Sequence, residues 1–377
     1  MLTLQGIPVN VQKPLLGKID TSSVNKNERQ SIIVNPKLSK RELKNYEAIL
    51  FSSENIDKKI ELLKIPTVYK INGIHILDDG DVVEILPDGR ITVLYKKKSP
   101  HNIIFVTSKC NSNCIMCPQP INYAEGNLTD LNLKLISLID KSTHELALTG
   151  GEPTIAGKDL LQLILACKNL LPDTSLLLLT NARKFGDFNY THLLSSILHP
   201  NLTIGTALYG DNDRQHDGIV RAKGAFNETV MGILNLASFG NQIEIRTVIF
   251  RHTYKNLLHI AEFIYRNMTF VKHIAFMGLE TIHQGKQNLD SLWVPPYEMI
   301  SYLEEAIHYL TQRAMNTSIY NIPLCLLPES LWKFARQSIS DWKRSFDAKC
   351  QFCSVRENCS GMFDSTIDLF RNYLKPI

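Results

Sequence analysis

The sequence predicts an α/β protein whose central domain is a partial (β/α)6, TIM-like barrel. Short runs of β-branched or leucine residues alternate with helical patterns six times along the middle of the chain. This alternation is typical of a parallel sheet with right-handed crossovers, and six units are too few for a closed eightfold barrel. Strand-like alternation before this region and clustered cysteines after it predict two further parts.

These patterns divide the chain into a β-rich N-terminal domain at 1–98, the barrel at 99–315 and a C-terminal cysteine-rich region at 316–377. In the first part, Gly73–Tyr95 alternates between apolar and polar residues and contains a Pro-Asp-Gly turn, which predicts a hairpin. The basic run from Lys96 to Lys98 is interpreted as a solvated linker.

Six strands and six helices are predicted in the barrel. The strands are Ile103–Thr107, Glu145–Leu148, Ser175–Leu179, Leu202–Leu208, Gln242–Phe250 and His273–Phe276. The helices are 131–141, 157–171, 188–198, 225–239, 254–268 and 297–313.

Composition excludes several classes of protein. The 377 residues are 44% hydrophobic and 21% charged, as in ordinary globular proteins, and a net charge of +4 gives no indication of nucleic-acid binding. No secretory signal or membrane-length apolar run is evident. We therefore expect a cytoplasmic protein with no membrane partner, in which clustered cysteines are metal ligands rather than disulfides.

The first cluster comprises Cys110, Cys114 and Cys117, spaced C-x3-C-x2-C directly after the first barrel strand. Three thiolates on one loop can hold a [4Fe–4S] cluster and leave one iron open for a small molecule. The same spacing also suits a structural zinc site with a fourth ligand from elsewhere.

The ends of the following strands carry further candidate residues. The second strand ends in Gly150, Gly151 and Glu152, where glycines permit close approach of a ligand and a carboxylate can pair with an amine. His216 and Asp217 follow the fourth strand and are candidates for contact with a ligand. These strand ends are where a parallel barrel builds its active site.

The combination of C-x3-C-x2-C with Gly-Gly-Glu resembles the radical S-adenosylmethionine (SAM) superfamily over about 102–279. The resemblance implies that the three cysteines hold a [4Fe–4S] cluster whose open iron binds SAM, and that the Gly-Gly-Glu segment meets the methionine amine of SAM. It also implies that the rest of SAM contacts four residues near strand ends: Asn181, Tyr209, Arg246 and Met277. Met116 stands where the family usually has an aromatic residue near adenine, and a polarisable methionine can substitute there.

The implied chemistry is reductive cleavage of SAM to a 5′-deoxyadenosyl radical, which removes a hydrogen atom from the substrate. The cofactors perform the difficult step, so no catalytic residue is predicted beyond the cluster and SAM.

The second cluster comprises Cys350, Cys353 and Cys359, spaced C-x2-C-x5-C, with Cys325 upstream. Four thiolates can fully ligate an auxiliary [4Fe–4S] cluster, and they can equally form a zinc site. This run resembles the SPASM or shorter twitch region of radical SAM enzymes that act on peptides. With four cysteines after the barrel, the region has ligands for one auxiliary cluster.

The chain is most similar to radical SAM maturases of the His-Xaa-Ser system. The similarity rests on five segments: CNSNCIMCPQ at 110–119, LTGGEPT at 148–154, ALYG at 207–210, LCLLPESLW at 324–332 and CSVRENCSG at 353–361. It implies a peptide or protein substrate with His-Xaa-Ser repeats, a second radical SAM protein as partner, and an electron donor. Two alternatives remain: a small-molecule radical SAM enzyme of cofactor biosynthesis, and a non-catalytic zinc-binding protein.

Overall fold

The computed structural model describes residues 2–21, 31–35, 40–54, 64–120, 126 and 128–377. By internal contacts the chain forms two units. Unit 1 comprises Met1–Ile104, Asn127–Leu146 and Ala166–Thr174, and unit 2 comprises Phe105–Gly126, Ala147–Leu165 and Ser175–Ile377.

Unit 1 contains a mixed sheet with the strand order β1-β8-β7-β3-β4-β5-β6-β2. Its strands are β1 (Thr3–Gln5), β2 (Ile7–Val9), β3 (Leu15–Asp20), β4 (Ser31–Val34), β5 (Ala48–Leu50), β6 (Thr67–Tyr69), β7 (Val82–Ile85) and β8 (Arg90–Tyr95). The predicted hairpin is confirmed, because β7 and β8 pair antiparallel across a short turn. Ile32, Leu50 and Val83 are among the fully buried residues of its core.

The basic run after β8 differs from the interpretation as a solvated linker. Lys96 Nζ lies 3.2 Å from a carboxylate oxygen of Asp78 and 3.2 Å from one of Asp81, whose side chain is fully buried. A buried carboxylate needs a nearby cation, and Lys96 supplies it. Lys97 and Lys98 are exposed, and they pair with Asp140 and Asp78.

The second sheet has eight strands whose spatial order follows the chain, from β9 to β16. They are β9 (Asn102–Phe105), β10 (Glu145–Thr149), β11 (Ser175–Thr180), β12 (Leu202–Ala207), β13 (Gln242–Ile249), β14 (His273–Gly278), β15 (Thr317–Tyr320) and β16 (Ala335–Arg336). Successive pairs from β11 to β16 are parallel. The protein is therefore a mixed α/β protein with a parallel sheet.

The six predicted strands are confirmed, but the prediction of six undercounts the sheet. β15 and β16 have only four and two residues. Segments this short carry no readable alternation, so β15 is recognised only by its pairing with β14, and β16 only by its pairing with β15. The barrel form itself stays a prediction.

The six predicted helices are also present, with ends shifted by a few residues. The helices of the described residues are α1 (Lys40–Leu43), α2 (Thr129–Leu138), α3 (Lys158–Leu170), α4 (Phe188–Ser195), α5 (Asp213–Val220), α6 (Ala225–Ser238), α7 (Leu257–Asn267), α8 (Gln284–Gln287), α9 (Leu289–Leu292), α10 (Pro296–Thr311), α11 (Glu329–Trp332) and α12 (Ile367–Phe370). Helix α5 was not predicted. It begins at the cap residue Asn212, whose side chain accepts a hydrogen bond from the Gln215 amide.

The two faces of the second sheet differ in burial. Along β11, Leu176 and Leu178 are buried, whereas Leu177 and Leu179 are partly exposed. β13 and β14 show the same alternation near their carboxyl ends, where Arg246, Val248 and Met277 are partly exposed. One face thus remains accessible to a ligand.

The C-terminal residues form little regular structure. Strands β17 (Arg344–Ser345) and β18 (Met362–Phe363) pair antiparallel. Across the described part of the chain, none of the helices combines the length and apolar character needed to cross a membrane.

Candidate functional site

The first cysteine loop follows β9 and brings Cys110, Cys114 and Cys117 together. Burial raises the pKa of Cys110 to about 11, and burial raises the pKa of the Cys114 thiol further. The neighbouring Cys117 and Cys110 thiols also raise the pKa of Cys114. Three thiolates this close repel one another, so an anionic set is stable only around a cation such as a metal centre.

Backbone hydrogen bonds fix the shape of this loop. The Asn113 amide donates to the Val220 carbonyl at 2.9 Å, and the Ile115 amide donates to the Ile219 carbonyl at 3.1 Å. The Asn288 side chain donates to the Ile115 carbonyl at 2.8 Å. The end of helix α5 therefore holds the middle of the cysteine loop.

Arg183 braces the start of the same loop. Its guanidinium donates to the Asn111 carbonyl and, at 3.2 Å, to the Ser112 hydroxyl. The opposite side of the guanidinium pairs with Glu228 at 2.6 Å. Arg183 was not predicted from the sequence, because its role depends on a contact with Ser112 across 71 residues of chain.

The two glycines of the Gly-Gly-Glu segment lie against protein backbone. A β-carbon on Gly150 would lie 2.3 Å from the Thr107 carbonyl oxygen, and one on Gly151 would lie 2.4 Å from that of Lys109. The Gly151 amide also donates to the Thr107 carbonyl at 2.7 Å. Glycine is required here because the end of β10 approaches the segment that leads into the cysteine loop.

Glu152 is almost fully buried and accepts four hydrogen bonds from the protein. One carboxylate oxygen accepts from the Thr154 amide at 3.0 Å, the Thr154 hydroxyl at 2.6 Å and the Thr180 hydroxyl at 2.6 Å. The other accepts from the Asn181 amide at 2.6 Å. Glu152 therefore joins the ends of β10 and β11, and any contact with a ligand amine would add to these bonds.

Asn181 connects this carboxylate to the cysteine loop. Its side-chain amide donates to Asn111 at 2.7 Å, while its own oxygen accepts from the Arg183 amide at 3.1 Å. The structure thus brings the cysteine loop, the Gly-Gly-Glu segment and Asn181 into one hydrogen-bonded group.

Tyr209 lies beside the cysteine thiols. Burial raises the pKa of its hydroxyl, and the nearby thiols of Cys114 and Cys117 raise that pKa further. Among the residues that the structure describes, this hydroxyl has no hydrogen-bond partner. The Tyr209 side chain is partly exposed, so its hydroxyl is available to a bound ligand.

The two residues predicted as ligand contacts near Tyr209 have local roles. His216 Nδ1 accepts from the Tyr209 amide at 3.2 Å, and the two rings stack with centroids 5.9 Å apart. Asp217 accepts from the amides of Gly224 and Phe226, at 2.5 and 2.8 Å, and so caps helix α6.

A polar cluster crosses β13, β14 and β15 on the accessible face. Glu244 accepts from Arg246 at 2.8 Å and lies 2.7 Å from His273 Nδ1, while His273 Nε2 lies 2.9 Å from the Ser318 hydroxyl. The Arg246 guanidinium lies 5.7 Å from the centre of the Tyr320 ring. Hydrogen bonding to His273 and the charge of Arg246 outweigh burial and keep the pKa of Glu244 below its usual value.

Arg246 is the one member of this cluster that was predicted from the sequence. A charged residue at every second position of an apolar strand, as at Glu244 and Arg246, is a signal that could have found Glu244. His273 and Ser318 are identified only once the register between the strands is known.

The two methionines occupy different environments. Met277 is partly exposed on the accessible face, in register between Val248 and Tyr320. Met116 is buried in an apolar cluster that includes Phe250 and Leu279. The structure therefore offers Met277 to a ligand more directly than Met116.

The four C-terminal cysteines line one small cavity. Burial raises the pKa of Cys325, and the thiols of Cys359, Cys350 and Cys353 raise it further. Cys325, 25 residues before Cys350, therefore lies with the C-x2-C-x5-C run, as the sequence predicts.

The segment that carries Cys325 is fixed in place. The Trp332 indole donates to the carbonyls of Leu324 and Leu327, at 3.0 and 3.1 Å. The Leu324 amide lies 3.4 Å from Cys359 Sγ and donates to it. A backbone amide directed at sulfur is a contact that stabilises a thiolate ligand.

All eight cysteines lie in the described part of the chain, and none forms a disulfide. Cys167 is buried in helix α3 and is a core residue. Among the described residues, no three His, Cys, Asp or Glu side chains meet the geometry for a single metal ion.

No protein-family profile matches the chain, and no curated protein matches it. Among solved structures, it is similar to Streptococcus suis SuiB bound to S-adenosylmethionine, with 15% identity and a TM-score of 0.49 over 59% of this chain. It is also similar to anSMEcpe with bound AdoMet, with 16% identity and a TM-score of 0.45 over 58% of this chain and 60% of that chain. A radical SAM methyltransferase from Sphaerobacter thermophilus has 12% identity and a TM-score of 0.42, over 65% of this chain and 75% of that one.

The matched region spans 51% of the SuiB chain, about half of its length. At these levels of similarity, nothing about the activity of this chain follows from the three structures.

Proposed function

We propose that this protein is a radical SAM enzyme. The observation that carries the proposal is the convergence of Cys110, Cys114 and Cys117 beside the Gly-Gly-Glu segment, with Tyr209 next to the thiols. Soft thiolates in this number suit a [4Fe–4S] cluster with one open iron. When bound, the cluster and SAM supply the radical that abstracts a hydrogen atom from the substrate.

The residues of the chain hold and orient these groups. Cys110, Cys114 and Cys117 would ligate the cluster, and the hydrogen bonds that their loop donates to the carbonyls of Val220 and Ile219 limit its movement. The Glu152 carboxylate and neighbouring backbone would receive the methionine amine of SAM. Arg246 and Met277, on the accessible face of the sheet, would contact the remainder of SAM.

The polar cluster positions Arg246. Glu244 holds one side of the guanidinium at 2.8 Å, and His273 holds the second carboxylate oxygen at 2.7 Å. Because the Arg246 guanidinium is already held in one orientation, its side chain loses little conformational entropy when a ligand binds.

We further propose that the enzyme is a peptide maturase of the His-Xaa-Ser type, with an auxiliary [4Fe–4S] cluster on Cys325, Cys350, Cys353 and Cys359. The four-cysteine cavity supports this assignment. Such a cluster could accept an electron from the product radical or brace the segment that meets the peptide. The proposed partners are a peptide with His-Xaa-Ser repeats, a second radical SAM protein and an electron donor.

Co-expression tests the proposed function. The protein is co-expressed with a short peptide rich in His-Xaa-Ser that is encoded beside its gene. The mass of the peptide is measured after co-expression with wild type and with a Cys110→Ala/Cys114→Ala/Cys117→Ala variant. We expect a mass change of the peptide with wild type alone. An unmodified peptide with wild type, or equal modification with the variant, would contradict the proposal.

A further inference from the structure

Residues 371–377 follow helix α12 and lie against the cavity that the four C-terminal cysteines line. Leu374 and Pro376 form part of the cavity wall. Leu374 is buried in an apolar cluster against which Cys325 and Cys350 also pack. The assignment of the four cysteines makes no use of these residues, which we call the covering segment.

Polar contacts fasten the covering segment to the second cysteine loop at two places. Lys349, directly before the C-x2-C run, donates from its ammonium to the Arg371 carbonyl at 3.0 Å. The Arg371 guanidinium also pairs with Asp347 at 3.0 Å. The Ser354 amide, directly after the same run, donates to the Ile377 backbone oxygen at 2.7 Å. The covering segment is therefore attached on both sides of the two cysteines of this run.

A backbone group of the covering segment also reaches one of the thiols. Burial raises the pKa of Cys325, and a hydrogen bond from the Lys375 backbone acts in the opposite direction. Such a donor favours the anionic form of sulfur, which is the form that binds metal. Lys375 thus acts on Cys325 as the Leu324 amide acts on Cys359.

The remaining wall of the cavity is poor in charge. Apart from the cysteines, Arg356 is the one ionisable residue among its described lining residues, and its guanidinium lies 4.9 Å from the centre of the Phe346 ring. The reduction potential of an iron–sulfur cluster depends on hydrogen bonds to its sulfur ligands and on its exposure to water. In an apolar cavity, the covering segment is therefore placed to influence both.

We propose that the covering segment is part of the second metal site, where the Lys375 amide raises the reduction potential of the auxiliary cluster and Leu374 keeps water away from it. The inference rests on the proposed function, because it requires a cluster on Cys325, Cys350 and the other two cysteines of this cavity. An electron that enters the cluster adds negative charge to its sulfur ligands. An amide that donates to one of them stabilises the reduced cluster more than the oxidised one.

Two substitutions of Lys375 test the role of its amide. Lys375→Pro removes the backbone N–H and Lys375→Ala keeps it, while both remove the same exposed charge. Each is combined with Cys110→Ala/Cys114→Ala/Cys117→Ala, so that the second cluster alone is measured. The potential is obtained by anaerobic titration followed by electron paramagnetic resonance. We expect a lower potential with Lys375→Pro than with Lys375→Ala, which should match the parent triple variant.

Two leucine substitutions in the same triple variant test the exclusion of water. Leu374→Ala opens the cavity wall, whereas Leu369→Ala truncates a partly exposed leucine of helix α12 that is not among the described lining residues. The rate at which the dithionite-reduced cluster loses iron to a ferrous chelator is measured. We expect Leu374→Ala to lose iron roughly tenfold faster than the parent, because truncating a buried leucine opens its surroundings. Leu369→Ala should lose iron like the parent.

The two comparisons can each overturn the inference. Equal potentials with Lys375→Pro and Lys375→Ala would contradict the role of the amide, and equal rates of iron loss with Leu374→Ala and Leu369→Ala would contradict the role of Leu374. If Lys375→Pro does not retain its iron, the rates of iron loss decide the inference. By contrast, a parent triple variant that binds no iron would disprove the auxiliary cluster itself, whatever the other substitutions do.

Discussion

At the scale of single residues, Glu152 shows how one side chain can serve the fold and the site together. Its carboxylate collects four donors from Thr154, Thr180 and Asn181, so it fixes the strand ends that face the cysteine loop. Gly150 and Gly151 permit the close backbone contact that precedes it. The Gly-Gly-Glu motif is therefore explained in part by packing within the protein.

We predict that Glu152→Gln weakens SAM binding roughly ten- to a hundred-fold, because a charge-assisted contact is worth on the order of 1.5–3 kcal/mol. Iron content should stay at the wild-type level, since Glu152 is no cluster ligand. Equilibrium dialysis with labelled SAM measures the affinity. Glu262→Gln, which removes a partly exposed carboxylate of helix α7 that pairs with Arg266, is the control. An unchanged SAM affinity in Glu152→Gln would restrict Glu152 to a structural role.

His216 makes stability depend on pH. Burial lowers its pKa to about 4, whereas an unfolded histidine has a pKa near about 6.5. Between these values the unfolded chain binds the extra proton, so the histidine's contribution to stability is lost as the pH falls through this window. His216→Asn keeps an acceptor for the Tyr209 amide and removes the titration.

We predict that wild type loses about 2 kcal/mol more unfolding free energy between pH 7 and pH 5 than His216→Asn does. Urea denaturation at the two pH values measures the difference. The exposed His75→Asn variant should behave like wild type. The same loss in wild type and in His216→Asn would show that His216 titrates normally in the folded protein.

At the scale of elements, periodicity identified the six longer strands and six helices, because each repeats its apolar positions several times. Helix α5 was not predicted, because its eight residues are mostly polar and no apolar periodic run follows its cap residue Asn212. Strands β15 and β16 were not predicted, because they are too short to show a pattern and are identified only by their pairing with neighbouring strands. The length of a strand or helix and the repetition of its apolar positions thus decide whether it can be predicted from the sequence.

The same limit applies to the candidate site. Cysteine spacing predicted that the thiols of the C-x3-C-x2-C run and those of the C-x2-C-x5-C run lie together, because each run is short, and the count of cysteines added Cys325 to the second group. Arg183 and the Glu244–His273–Ser318 contacts join distant segments. Such contacts depend on strand register, which the sequence does not state directly.

The C-terminal cysteine region supplies a prediction about iron. Cys350→Ala/Cys353→Ala should lower the iron content from about eight to about four per chain, because each cubane cluster holds four irons. SAM cleavage without peptide should persist, and peptide modification should stop. Iron assay, SAM-cleavage assay and peptide mass spectrometry measure the three effects.

Two variants serve as checks on this assignment. Cys167→Ala removes a buried cysteine of helix α3 and should leave the iron content unchanged. Cys325→Ala alone should disturb the spectrum of the second cluster. If Cys325→Ala leaves that spectrum unchanged, the fourth ligand lies elsewhere. If the Cys350→Ala/Cys353→Ala variant still modifies the peptide normally, the auxiliary site has at most a structural role.

At the scale of the whole molecule, both cysteine sites belong to unit 2. The first lies where the end of β9 meets the ends of β10 and β11, and the second lies in the C-terminal residues that follow the parallel sheet. One unit therefore contains the groups proposed to bind SAM and the auxiliary cluster. This arrangement suits chemistry in which the protein supplies position and exclusion of water, and the cofactors supply reactivity.

The measurement that tests the central claim most directly is 5′-deoxyadenosine formation from SAM. The reconstituted protein is incubated anaerobically with SAM and dithionite, and the product is quantified by mass spectrometry beside the Cys110→Ala/Cys114→Ala/Cys117→Ala variant. We predict steady formation of 5′-deoxyadenosine by wild type and none by the variant, which should still retain the iron of the second site. Undiminished formation by the variant, or none by iron-loaded wild type, would contradict the assignment of this protein as a radical SAM enzyme.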